Sequence, residues 1–252
     1  MLLLYQVATF LTAHLCRKGI SDNMKIEVGE SLVCSWLRQV KDCQMVQTNW
    51  MASQVRALIN IELIEKVRNK VYDYFSKTHS INIYKDDVSL LNQMLSGAQV
   101  DVLGVSLGRE KNIITAVDIS IHENGLNYGS NSDTVGQVIK KFLQIALCLH
   151  GYFDYKEAEI IFVSPKIEPD LLETLVIFMK ELQKLFEESG LNFELSIYAN
   201  QEFTEKILVS LMDTKNPSTG TDLFLRGYQM LSSIGGGSRT GGTTPEERRG
   251  LY

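Results

Sequence analysis

The run Glu159–Ser164 (EIIFVS) is apolar without alternation and is stopped by Pro165. A strand with one face in water alternates polar and apolar residues. A run without alternation predicts a strand buried on both faces, as when helices cover a sheet from either side. The expectation is therefore a mixed α/β domain with helices packed on a central sheet. A chain of 252 residues is long enough to bury such a core without disulfide or metal staples. Its 44% hydrophobic and 22% charged residues exclude a wholly disordered, collagenous or disulfide-scaffold protein.

Other segments fill in the order. From Gly29 the residues Val33, Trp36, Leu37 and Val40 form one stripe at helical spacing. Cys43–Thr48 reads as a strand ending at Asn49-Trp50, and a long amphipathic helix is expected from Gln54 to Lys77. Val55, Leu58, Ile59, Val67, Val71, Tyr74 and Phe75 form its buried face. A short helix near Asp86–Leu95 precedes two strands, Gln99–Leu107 and Lys111–His122, joined by Gly108-Arg109-Glu110-Lys111. Asp133–His150 is a helix with Val135, Val138, Ile139, Phe142, Ile145, Ala146 and Leu149 as its stripe. A helix at Asp170–Ser189, a strand at Phe193–Ala199 and two helices to Ile234 follow. The Gly/Ser/Thr-rich residues 235–252 read as a disordered tail.

The formal net charge of −5 speaks against a protein that coats nucleic acid by bulk charge. It is unevenly spread: residues 1–153 sum to +1, residues 154–206 to −7 and residues 207–252 to +1. The first half stays free to approach a polyanion. Cys16, Cys34, Cys43 and Cys148 are scattered without a C-x-x-C pair, which points to a reducing cytoplasm rather than a disulfide framework or zinc ribbon. Residues Met1–Cys16 are apolar, yet too short to span a bilayer and without a positive n-region, so a packed helix and no membrane partner are expected. Residues 1–27 are read as an N-terminal helical extension, 28–234 as the α/β domain with a helical insertion at about 51–98.

Two acids interrupt apolar strands, Asp101 and Asp118. If Gly108–Lys111 is a four-residue hairpin loop, Leu107 pairs with Asn112 and Asp101 falls opposite Asp118. Like charges so placed repel, and a divalent cation held by hard oxygen ligands would neutralise them. Asp118, Ser120 and His122 share one strand face; Val117, Ile119 and Ile121 share the other. Lys141 lies at the margin of its helix's buried stripe, on the flank of Gln137, and can reach over the sheet edge or simply extend into solvent. Glu30 opens the first helix, where an acid is also favourable against the helix dipole. No zincin, Walker A or Gly-x-Ser-x-Gly signature occurs.

The succession of a helix with Glu30, a strand leading to Asn49-Trp50, strands with Asp101 and Asp118, a helix, and the strand 159–164 resembles the α-β-β-β-α-β core of the PD-(D/E)XK nuclease superfamily. The stretches VDISIHENGLNYGS and FVSPKI are similar to those of uncharacterised bacterial members. The resemblance covers roughly residues 28–164. It implies a restriction-endonuclease-like core with a C-terminal α/β extension. It also implies Asp101 and Asp118 as ligands of Mg2+ or Mn2+, Glu30 as the helix-borne acid completing the site, and hydrolysis of DNA phosphodiesters. The lysine expected two residues after Asp118 is Ser120. Lys141 is the first candidate for a migrated lysine and Lys166 the second, while His122 and Glu123 either assist or order the loop 124–130. Without a substitute lysine the fold is expected to serve as a nucleic-acid or protein binding module. A small-molecule hydrolase using the same acids is a third reading.

Overall fold

The computed structural model describes residues 22–52, 57–81, 83, 95, 98–108, 111–122, 124–214, 224–225 and 227. The expected N-terminal segment Met1–Cys16, the short helix at 86–95 except for the helical Leu95, Glu123 and the tail 235–252 lie outside them.

The elements in chain order are α1 (Asp22–Gln39), β1 (Met45–Met51), α2 (Ile61–His79), β2 (Gln99–Leu107), β3 (Asn112–Ile119), α3 (Asn131–Phe153), β4 (Glu157–Ser164), α4 (Pro169–Glu187) and β5 (Asn192–Ala199). A last helical run follows: α5 (Asn200–Phe203), a π-helical turn (Thr204–Val209) and α6 (Ser210–Met212). The strands form one mixed sheet in the order β1-β2-β3-β4-β5. β2 is antiparallel to both β1 and β3, whereas β3, β4 and β5 run parallel.

Helices cover both faces. One core is built from α2, α3 and α4, with Ala158, Ile160 and Phe162 of β4. The other holds Val33, Trp36 and Leu37 of α1 and Phe203, Ile207 and Leu211 of the last helical run, with Ile161 and Val163 of β4. The unbroken apolar run in β4 thus serves two cores at once, the arrangement its lack of alternation predicts.

Several expected boundaries are corrected. α1 already runs at Asp22, so a boundary at residue 27/28 would cut a helix. β1 is Met45–Met51 rather than Cys43–Thr48, and β3 ends at Ile119 rather than His122. α2 starts at Ile61 rather than Gln54, because Asn60 sits in the left-handed region (φ 55°) and cannot be interior to a right-handed helix. Ile59, just ahead of it, is exposed, and Ile64 joins Val67, Val71 and Phe75 on the buried face instead. Val40, at the end of the α1 stripe, is also exposed. Among the described residues no helix is long and apolar enough to cross a membrane.

Candidate active site

The β2–β3 hairpin has the register that the four-residue loop predicts, Leu107 opposite Asn112 through Val102 opposite Val117. The ladder stops there. β2 continues alongside β1 to Gln99 opposite Met51, and β3 continues alongside β4, with Asp118 opposite Phe162 and Ile119 opposite Val163. The next pair in register is Asp101 and Asp118, so both acids stand at the fork where the two strands part. Asp101 fills the break itself: the Ile119 N–H donates to its Oδ2 at 2.6 Å instead of to a backbone carbonyl.

Burial pushes the Asp101 carboxyl up to about 6, with the charges of Asp118 and Glu30 adding to the rise. The Ile119 N–H and the Lys141 ammonium pull in the other direction. Asp118 is 5% exposed and receives the Lys141 ammonium on Oδ2 at 2.6 Å. Lys141 projects from α3, whose N-terminus is fixed by a capping box between Ser130 and Asp133. Gln137, Lys141 and Gln144 are all half-buried along one flank of that helix. Burial alone would lower the Lys141 amine, but Asp118, Tyr128 and Asp101 together outweigh it and hold it above the ordinary lysine range.

Asp101, Asp118 and Lys141 line an open cleft of about 190 Å³ together with Ala98, Gln99, Gln144 and Ile145. At about 30 Å³ per water, that volume holds several waters or a hydrated ion. It falls short of the roughly 300–1,000 Å³ of pockets that enclose a whole small ligand. Glu30, 6% exposed, is outside the cleft wall and reaches it through Asn49 and Gln99. Asn49 entered the sequence reading only as a strand end; an Asn inside a β-branched, aromatic segment was the available signal.

The other predicted residues are placed differently. Ser120 is buried on the Asp118 side and its hydroxyl is bonded to the Tyr128 hydroxyl at 2.8 Å. His122 packs edge-on against Tyr128, with ring centroids 5.3 Å apart, and so contributes to ordering the loop. Lys166 is exposed and its backbone carbonyl accepts from Leu126 N–H, which ties the same loop to the end of β4.

Magnesium binds through one or two carboxylates and keeps several waters. Asp101 and Asp118 each retain a second oxygen outside the bonds given above, so the donor chemistry fits such an ion. Among the described residues no set of three His, Cys, Asp or Glu side chains converges in metal-binding geometry. Comparison with protein-family models, curated proteins and solved structures returns no match.

Proposed function

We propose that this chain is a metal-dependent phosphodiesterase acting on DNA, built on a restriction-endonuclease-like core of the PD-(D/E)XK kind. The observation that carries this reading is the fork between β2 and β3. There two aspartates at the end of the β2–β3 ladder, backed by Glu30, face a small open cleft beside Lys141. Three acids and one lysine give a formal charge of −2, which repels a phosphate until a cation is added. The order α1, β1, β2, β3, α3, β4, with α2 as an insertion, supports the resemblance at the level of the fold.

When bound, Mg2+ or Mn2+ would neutralise the acids and supply an activated water. Asp101 and Asp118 would hold it from adjacent strands, with Glu30 in support. Lys141, fixed on α3 over the same cleft, would face the phosphate and offset the negative charge that builds up in the transition state. A cleft this small suits one phosphodiester of a long polymer lying across the surface, which favours DNA over an enclosed small substrate.

One observation favours a second reading, a catalytically inactive nuclease-fold binding module: Ser120 replaces the motif lysine, and Lys141 is already paired with Asp118. Cleavage of linear, nicked and branched DNA by wild type and Asp118→Ala in Mg2+ and Mn2+ separates the two. The nuclease reading expects at least a hundred-fold loss in the variant. Equal cleavage by both proteins overturns it, and binding without cleavage supports the module.

A further inference from the structure

Asn49 lies in the interior of β1 with φ 51°, the left-handed region, although its neighbours Thr48 and Trp50 keep their pairs with Val102 and Val100. An exposed position on an edge strand favours β-branched or aromatic residues, and a left-handed backbone strains every residue but glycine, asparagine least. The amide is engaged at the site, where it bonds the buried Glu30 and Gln99. Two consequences of this conformation act there.

The first concerns the pleat. Gly104 faces Leu37 of α1 and Val102 packs in the same core, yet Val100, two residues away, belongs to the opposite core. β1 changes face in step, with Val46 against the α1 side and Trp50 against the α3 side. The exchange is centred on Asn49 and on Asp101, which would be its partner in register. The second concerns the side chain. Asn49 Nδ2 donates to Glu30 Oε2 at 2.9 Å, and its Oδ1 accepts from Gln99 Nε2 at 2.7 Å. One amide therefore joins the buried acid of α1 to a residue of the cleft wall.

We propose that Asn49 is a positioning residue of the cleft: its left-handed backbone turns the strand pair at Asp101, and its amide fixes the Glu30 carboxylate and Gln99. The inference rests on the reading of these acids as a metal-dependent phosphodiesterase site. Asn49→Gly retains the backbone conformation and removes only the amide, so it forms a double-mutant cycle with Glu30→Gln. Two quantities are measured on the full chain, the urea midpoint and the affinity for Mn2+ alone by calorimetry. Asn49→Gly is expected to weaken Mn2+ about five- to ten-fold, and Glu30→Gln to cost less affinity in its background than in wild type. A purely structural role would move the urea midpoint and leave Mn2+ affinity unchanged, and that result overturns the proposal.

If Asn49→Gly unfolds, the exchanged pair Asn49→Asp with Glu30→Gln decides. Recovery of the midpoint over Asn49→Asp alone upholds the contact, and no recovery overturns it. Wild type that neither binds Mn2+ nor cleaves DNA overturns the metal reading instead. The urea cycle then decides for Asn49: non-additive midpoints uphold its hold on Glu30, additive ones overturn it.

Discussion

Lys141 and Asp118 are unequally buried partners, with 31% and 7% of their side chains exposed. Removing the cation from such a pair strands a buried carboxylate, a more costly change than the pair's own net worth. Lys141→Met is therefore expected to lower stability by about 2–4 kcal/mol, read from urea unfolding at neutral pH. Asp101 carries the opposite sign. Its carboxyl is held at about 6 against an ordinary value of 3.8, so the folded protein binds this proton more tightly than the unfolded chain does. Stability contributed by the protonated form is present below pH 4 and is lost as pH rises through 6. Asp101→Asn keeps an oxygen to accept the Ile119 N–H without the charge. It should raise stability by about 1–3 kcal/mol at pH 8, allowing for solvent screening, and leave it unchanged at pH 4. A lower urea midpoint at pH 8 would contradict the burial of this charge. The two acids were legible as a pair because register follows from loop length. Lys141 was legible only as a marginal lysine, since helical phase gives its flank but not the strand beneath it.

At the scale of elements, α1 approaches the sheet through two glycines of different consequence. A Cβ on Gly104 would sit 2.8 Å from Cys43 Sγ and 3.2 Å from Leu37 Cδ1, both on buried side chains. One on Gly29 would meet the far end of Ile121 at 2.5 Å, a methyl that can swing aside, and Ile119 Cγ2 at 3.2 Å. Gly104→Ala is expected to destabilise by about 1–3 kcal/mol through overpacking. Gly29→Ala should be near neutral, since relief of helix entropy worth about 1 kcal/mol offsets the displaced methyl. Thermal unfolding of the two variants side by side checks the contrast. The stripe of α3 was readable because its periodicity is strong and uninterrupted, whereas β2 was readable as a strand without the change of face at Asp101. The start of α2 was misread because Asn60, which bonds Asp154 at 2.8 Å, breaks a pattern that apolar spacing continues through.

Across the whole molecule, Asn60, Asp154 and His150 form a second junction, away from the cleft. His150 is fully buried at the end of α3, its Nδ1 3.3 Å from the Tyr155 carbonyl and 3.7 Å from Asp154 Oδ1. Beside it the Gly151 carbonyl accepts the Ile59 N–H at 2.8 Å, tying the lead-in of α2 to α3. Burial lowers the His150 imidazole below its ordinary 6.5, with Lys156 acting in the same sense and Tyr155 and Asp154 against it. The unfolded chain therefore takes up this proton first, and stability is lost as pH falls below 6.5. The urea midpoint at pH 7.5 minus that at pH 5.5 should fall in His150→Gln, whatever its absolute stability and against the opposite trend of Asp101; an unchanged value would exclude His150 as a contributor. The net charge of −5 is also resolved at this scale, since the strand fork lies in the nearly neutral part of the chain and the excess acid sits largely on β4, α4 and β5. By itself the sequence determined the layered α/β arrangement, the two-sided burial of β4 and the hairpin register that brings Asp101 and Asp118 to the same end of the ladder. Periodicity, lack of alternation and hairpin register act over a few residues and can be counted. Only the tertiary structure decided that the ladder opens at those acids, that Lys141 rather than Lys166 closes on Asp118, and that Asn49 joins Glu30 to the cleft. Those outcomes depend on where separate elements meet in space, which spacing along the chain does not encode.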